Sequence, residues 1–281
     1  MALSYPDSRR TRGGHVRDGD GLDSRGVVAT FPAVLKGVTT GQEITDPLGL
    51  YMADRRDSEG RPWVLVNMVS SADGGTAIDG TSTGLGDDDD LTLFKVQRAL
   101  PDVILVGAGT VRAEDYGPVR LDEERRRRRA DRGQEPTPRL VIVSGRLSLE
   151  QDARVFSDPA HPPLVLTGAG VDHARRAEFS GVADVVALDD LDAKAVIDQL
   201  GDASVVLCEG GPSLIGQLVS AGLVDEMNLT VSPMMVSGES QRIAHGAPAS
   251  PPLDMVLDRV LLGDRSLFLR YLNSNTITKG K

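Results

Sequence analysis

From Pro62 onward the chain alternates short apolar runs with helical patterns, and few architectures accommodate that alternation. The apolar runs are Trp63–Val69, Val103–Val106, Leu140–Val143, Leu164–Thr167, Val185–Leu188 and Val205–Cys208. Helical patterns lie between them near 90–100, 172–179, 192–200 and 213–221. Strands buried on both faces read as continuous apolar runs, and helices between them let successive strands run parallel. The chain is therefore expected to be an α/β protein with a largely parallel central sheet flanked by helices. The last three apolar segments, Glu226–Val231, Met255–Leu262 and Leu267–Leu272, have no helices between them and predict antiparallel C-terminal strands. One domain over 61–281 is the simplest organisation. Residues 28–60 read as a lead-in with a short helix near Leu48–Met52. Residues 1–27, rich in Arg, Asp and Gly, read as a polar, flexible extension.

Composition removes several function classes. No apolar run approaches the ~20 residues needed to span a bilayer, and no apolar leader follows the N-terminus, so a cytoplasmic protein without membrane contact is expected. The single cysteine, Cys208, excludes an internal disulfide and a multi-cysteine zinc site, and reads as a small buried apolar residue. A net charge of −10 argues against nucleic acid as a partner. Arg125–Arg129 is a local exception, and a solvated loop or helix end is favoured there over a phosphate-binding patch.

The segment 204–216 carries the most specific chemistry. Val205–Leu207 reads as a buried strand, and Leu214, Ile215, Leu218 and Val219 as the apolar face of a helix. Gly210 and Gly211 allow the sharp turn between them, and Pro212 suits a first helical turn. Free N–H groups at such a helix start can receive a pyrophosphate; the alternative is a plain strand-to-helix turn. A second glycine turn, Gly107-Ala-Gly-Thr-Val111, follows Val103–Val106. Arg112 stands where the usual dinucleotide fingerprint has its third glycine, which weakens a standard Rossmann assignment. Two such turns still point to a ligand along the C-terminal edge of the sheet. Ser144-Gly145-Arg146, after a third strand, could hold a ribose phosphate and so favour NADPH; a plain polar turn is equally compatible.

Asp87–Asp90 precede Leu91, Leu93, Phe94 and Val96 and suit helix capping, although one could instead face an amino-pyrimidine ring. No metal site is expected, because the acidic run lacks calcium-loop spacing and no helix pairs histidines. None of His15, His161, His173 and His245 has a triad partner, so nucleophilic catalysis has no support. Hydride transfer asks mainly for positioning of cofactor and substrate, and needs no triad.

Three ordered motifs, Asn67-Met-Val-Ser-Ser-Ala-Asp-Gly-Gly75, Leu105-Val-Gly-Ala-Gly-Thr-Val111 and Cys208-Glu-Gly-Gly-Pro-Ser213, resemble the riboflavin-biosynthesis pyrimidine reductases of the dihydrofolate reductase-like superfamily. The resemblance spans roughly 60–272 and is nearest to the stand-alone actinobacterial form. It implies a dihydrofolate reductase-like sheet with NADPH along its C-terminal edge, and a homodimer. It also implies reduction of the ribosyl group of a phosphoribosylamino-pyrimidine to ribityl. Bifunctional relatives add a cysteine-rich zinc deaminase, which one cysteine rules out here. By this resemblance Glu209 faces the substrate at the hydride-transfer point, and Asp90, opening an Asp-Leu-x-x-Phe-Lys helix, holds the ring. Arg98 and Arg120 grip the substrate phosphate, with Ser82, Asn67 and Asp73 in the same pocket. The cofactor falls to Ala77, Gly107, Gly109, Thr110, Glu114, Ser144, Arg146, Thr167 and the turn Gly210, Gly211, Pro212, Ser213 and Leu214. Glu114 stands where relatives usually have aspartate, and Gly75 where many bifunctional relatives have lysine.

Two other readings stay open. One is reduction of dihydrofolate, suggested by the helix start at Asp90. The other is a non-catalytic protein that keeps the NADP site. The substrate arginines separate the first from the favoured reading, since a pterin has no phosphate to grip.

Overall fold

The computed structural model describes residues 44–278 apart from 55 and 59; the 1–27 extension lies outside them. The strands are β1 (Trp63–Ser71), β2 (Val103–Gly107), β3 (Arg139–Val143), β4 (Leu164–Gly168), β5 (Asp184–Leu188), β6 (Val205–Cys208), β7 (Glu226–Ser232), β8 (Met255–Leu262) and β9 (Leu267–Asn273). They form one sheet in the order β5-β4-β3-β2-β6-β1-β7-β9-β8. Pairing is parallel from β5 through β7, and antiparallel for β7–β9 and β8–β9. The expected parallel sheet with antiparallel C-terminal strands is thus present. Of the three late segments, β7 also pairs in parallel with β1, because α7 (Pro212–Ser220) carries the chain back before it.

Period-two alternation along the strands supplies two apolar layers. Trp63, Leu65, Ile104, Val106 and Leu207 face α1 (Pro47–Met52), α2 (Asp88–Gln97) and α3 (Ala108–Ala113). Val64, Val66, Leu105, Val206 and Cys208 face α7 and α6 (Ala193–Asp198). Burial pushes the Cys208 thiol up to about 12, so it stays an inert apolar filler. Leu48 and Tyr51 of α1 pack into the first layer, which joins the described part of the lead-in to the core.

The arginine run lies in a whole helix, α4 (Glu123–Ala130), capped by Asp122. Arg125 pairs with Asp122, Arg127 with Glu124 and Asp131, and Arg128 with Glu124 and Asp46. Arg129 is fully buried and donates to the carbonyls of Ala99, Pro101 and Glu135. A loop or solvated helix end therefore describes this run incompletely, since Arg129 closes the end of α2 from inside. The remaining helices are α5 (His173–Ala177) and α8 (Ser274–Thr278).

Beside Trp63, at the start of β7, Glu226 is buried between Arg56 and Arg270 and also accepts from Trp63 Nε1. Burial alone would raise its carboxyl, but the two guanidiniums hold it at about 2. No helix among the described residues is long and apolar enough to cross a membrane.

Candidate active site

A cleft of about 1140 Å³ opens at the C-terminal ends of β1, β2, β3 and β6. Pockets for single small molecules usually run to about 300–1,000 Å³, so this one has room for a cofactor and a substrate together. Parallel strands bring their following loops to this edge, which places the chemistry there.

The two glycine turns interlock at the cleft floor. Gly107 N–H donates to the Gly210 carbonyl at 2.8 Å. Gly210 has φ +96°, a left-handed conformation that favours glycine, and its peptide to Gly211 is cis. Gly211 has ordinary backbone angles but no spare volume, since a Cβ there would stand 2.7 Å from Thr110 Oγ1. No side chain caps α7, so its first turn, with Pro212, Ser213 and Leu214 in the cleft wall, is open toward the cleft.

Glu209 follows β6 directly and lines the floor between these turns. Its carboxylate accepts from Arg98 Nε at 2.8 Å (Oε1) and Arg98 Nη2 at 2.8 Å (Oε2), and Oε2 also accepts from the Tyr116 hydroxyl. Arg98 reaches this place from the end of α2 because helical side chains tilt toward the helix N-terminus. Its charge is stabilised: burial opposes it, but Glu209 raises its pKa above the ordinary value. The Arg98 fork, expected at the substrate phosphate, is occupied by Glu209, and Arg98 is not among the residues that line the cleft. Arg120, the other arginine expected at the phosphate, is not brought to the same partners. It is exposed and donates to the Asp158 carbonyl and carboxylate, away from the cleft lining.

Several expected ligand residues also make contacts that hold the walls. Asp73 accepts from the backbone N–H groups of Val236 (3.1 Å) and Ser237 (2.8 Å) and from Ser71 Oγ, contacts that lower its carboxyl to about 2. Glu114 accepts from Ser82 N–H at 2.7 Å, and both residues line the cleft. Thr167 is buried and donates to the Ser144 carbonyl, behind the cleft. Asn67 lies on β1 opposite Asn228, and β1 presents Met68 and Val69 to the cleft instead. Asp90 is behind the lining; burial raises its carboxyl, an effect that Thr230 of β7 opposes. Asp87 caps α2, as its position predicts. Ala77, Gly107, Gly109, Thr110, Ser144 and Arg146 line the cleft.

Three contributions were not foreseen. Tyr116 is the first. The second is Arg112, which lines the cleft with Nη1 held by Ser148 carbonyl and hydroxyl oxygens, two residues from Arg146. The third is the loop 236–241, where Ser240 Oγ accepts from Thr76 and Ala77 N–H at 3.0 Å each. That loop begins a few residues after the end of β7, so the rule that ligands sit beyond C-terminal strand ends would have found it. Gly75 seats it, since a Cβ there would meet Val236 Cγ2 at 2.4 Å. Among the described residues no group of three or more His, Cys, Asp or Glu could hold a metal ion.

Residues 62–261 match the RibD C-terminal domain model. The chain is 31% identical over 183 residues to the 2,5-diamino-6-ribosylamino-4(3H)-pyrimidinone 5′-phosphate reductase of Archaeoglobus fulgidus, covering 63% of this chain and 83% of that one. It is 28% identical over 206 residues to the riboflavin biosynthesis protein RibD of Mycobacterium tuberculosis, covering 73% of this chain but 51% of the relative. A solved pyrimidine reductase-like protein from Corynebacterium diphtheriae superposes with TM-score 0.69 at 27% identity, over 75% of this chain and 92% of that one. The family match over most of the chain, on a sheet whose glycine turns and acid lie at its C-terminal edge, shows that this protein belongs to the RibD C-terminal domain family.

Proposed function

We propose that this protein is an NADPH-dependent reductase of riboflavin biosynthesis. It would convert the ribosyl group of a 5-amino-6-(5-phosphoribosylamino)pyrimidine, in its uracil or 2,5-diamino-pyrimidinone form, to ribityl. The observation that carries the reading is Glu209, set in the cleft floor between two interlocked glycine turns. The similarity to the Archaeoglobus fulgidus reductase supports a phosphorylated pyrimidine as the substrate class.

The donor set fits a dinucleotide phosphate. The open first turn of α7 receives the pyrophosphate, and Arg146 with Arg112 and Ser144 receives the extra ribose phosphate. When bound, NADPH supplies a hydride to C1′ of the opened, imine-like sugar. Glu209 accepts a hydrogen bond from a sugar hydroxyl and so orients that carbon. Asp90, half-buried in the first turn of α2 and behind the cleft lining, is assigned to the amino-pyrimidine ring by the family resemblance alone. With Arg98 paired to Glu209 and Arg120 to Asp158, the Ser82 hydroxyl and the N–H groups of Asp79 and Gly80 at the cleft edge are the donors proposed for the substrate phosphate. The same reading includes a homodimer in the cytoplasm, which sedimentation and fractionation test.

The deciding experiment follows NADPH oxidation with each phosphoribosylamino-pyrimidine and with dihydrofolate. Oxidation with either pyrimidine is expected and identifies the preferred form. Turnover of dihydrofolate alone, or of none, refutes the reading.

A further inference from the structure

Tyr116 lies outside the three sequence motifs quoted above, yet it ties the cleft floor together. The residue is 8% exposed; its hydroxyl donates to Glu209 Oε2 and accepts from Arg98 Nη2 at 2.5 Å. The Arg98 guanidinium lies 4.2 Å from the Phe94 ring centre and 5.0 Å from that of Tyr116. Of Arg98, Tyr116 and Glu209, only Glu209 lines the cleft. Burial first, and Glu209 second, raise the Tyr116 hydroxyl, so it keeps its proton and remains a donor.

A carboxylate offers about four lone-pair positions, and three of those on Glu209 are filled from behind by these two residues. An unsupported glutamate side chain would rotate among several rotamers and would present an uncompensated negative charge to a phosphorylated substrate. Arg98 removes the charge problem and Tyr116 removes the rotational one.

We propose that Arg98 and Tyr116 are positioning residues. They hold Glu209 in one orientation, with a single acceptor position on Oε1 left for a donor in the cleft. The proposal rests on the reductase reading for the identity of that donor, a substrate hydroxyl. Tyr116→Phe keeps the ring against Arg98 and deletes only the hydroxyl, which makes it the informative variant.

The test is a double-mutant cycle of Tyr116→Phe and Glu209→Gln in the full chain, reading kcat and KM for the pyrimidine, NADPH affinity and unfolding midpoint. Tyr116→Phe should lower kcat about 10- to 100-fold with NADPH affinity unchanged. The double variant should be no slower than Glu209→Gln alone, because the hydroxyl acts only through that carboxylate. Multiplicative losses, or an unchanged kcat in Tyr116→Phe, overturn the proposal. If the wild type reduces neither pyrimidine, the reductase reading fails. The coupling is then read in the unfolding midpoints, where additive shifts overturn positioning and non-additive shifts uphold it.

Discussion

Arg98 and Glu209, 111 residues apart in the chain, meet in a two-pronged ion pair with both N···O distances at 2.8 Å. Their side chains are 15% and 4% exposed, so the pair is cut off from most solvent screening. The strand order makes the meeting possible. β6 inserts between β1 and β2, and its last turn then lies over the end of α2, the helix that links those two strands.

Removing one partner of this pair should hurt more than removing both. Glu209→Gln leaves a buried guanidinium uncompensated and is expected to cost about 3–5 kcal/mol of stability. Arg98→Met combined with Glu209→Gln should recover part of that loss, although turnover stays low. Denaturant unfolding of the single and double variants measures both terms, and equal stability of wild type and Glu209→Gln would contradict the buried-pair argument.

Cofactor preference is expected to reside in Arg146 and Arg112. Replacing Arg146 by alanine should narrow the NADPH-over-NADH ratio of kcat/KM by about 10- to 100-fold, the loss of one charge-assisted phosphate contact. Arg112→Ala should act in the same direction, because Ser148 holds its guanidinium at the same end of the cleft. Titration of both dinucleotides into each variant checks this, and an unaltered ratio would move the extra phosphate elsewhere.

Gly75→Ala should disturb the far wall without touching the core. The new methyl would meet Val236 Cγ2 at 2.4 Å and Ser240 Cβ at 3.1 Å, forcing the 236–241 loop outward. Ser240 then loses its contacts to Thr76 and Ala77, and KM for both ligands should rise several-fold, about 1 kcal/mol of lost binding for hydrogen bonds of this kind. Steady-state kinetics with an unchanged unfolding midpoint is the expected pattern.

Acid stability should depend on Glu226. Its carboxyl is held at about 2, below the ordinary 4.5, so its contribution is complete above 4.5 and is lost as pH falls toward 2. Glu226→Gln should therefore flatten the fall in unfolding midpoint over that window. It should also destabilise the protein near neutral pH by about 1–3 kcal/mol, the loss of charge-assisted bonds, with Arg56 and Arg270 keeping Asp54 and Asp258 as partners. An acid limb identical to wild type would show that another carboxylate governs it.

What could be read from the chain by itself was local. The apolar runs located β1 to β7 within a residue or two at most ends, because burial on both faces imposes a signal on consecutive residues. The glycine turns were legible for a similar reason: a sharp turn after a buried strand restricts residue type at the turn itself, whereas the part given to Glu209 came only from the family resemblance. Helix α4 was not, since its eight residues include a five-arginine run and no apolar stripe. Charge partnerships were also hidden. Arg98 and Arg120 look alike as isolated guanidiniums, yet one is locked behind the cleft and the other lies exposed against Asp158. Tyr116 had no signal of its own. A side chain's partner depends on which strands become neighbours, and the order β2-β6-β1 is a property of the packed sheet, not of any segment.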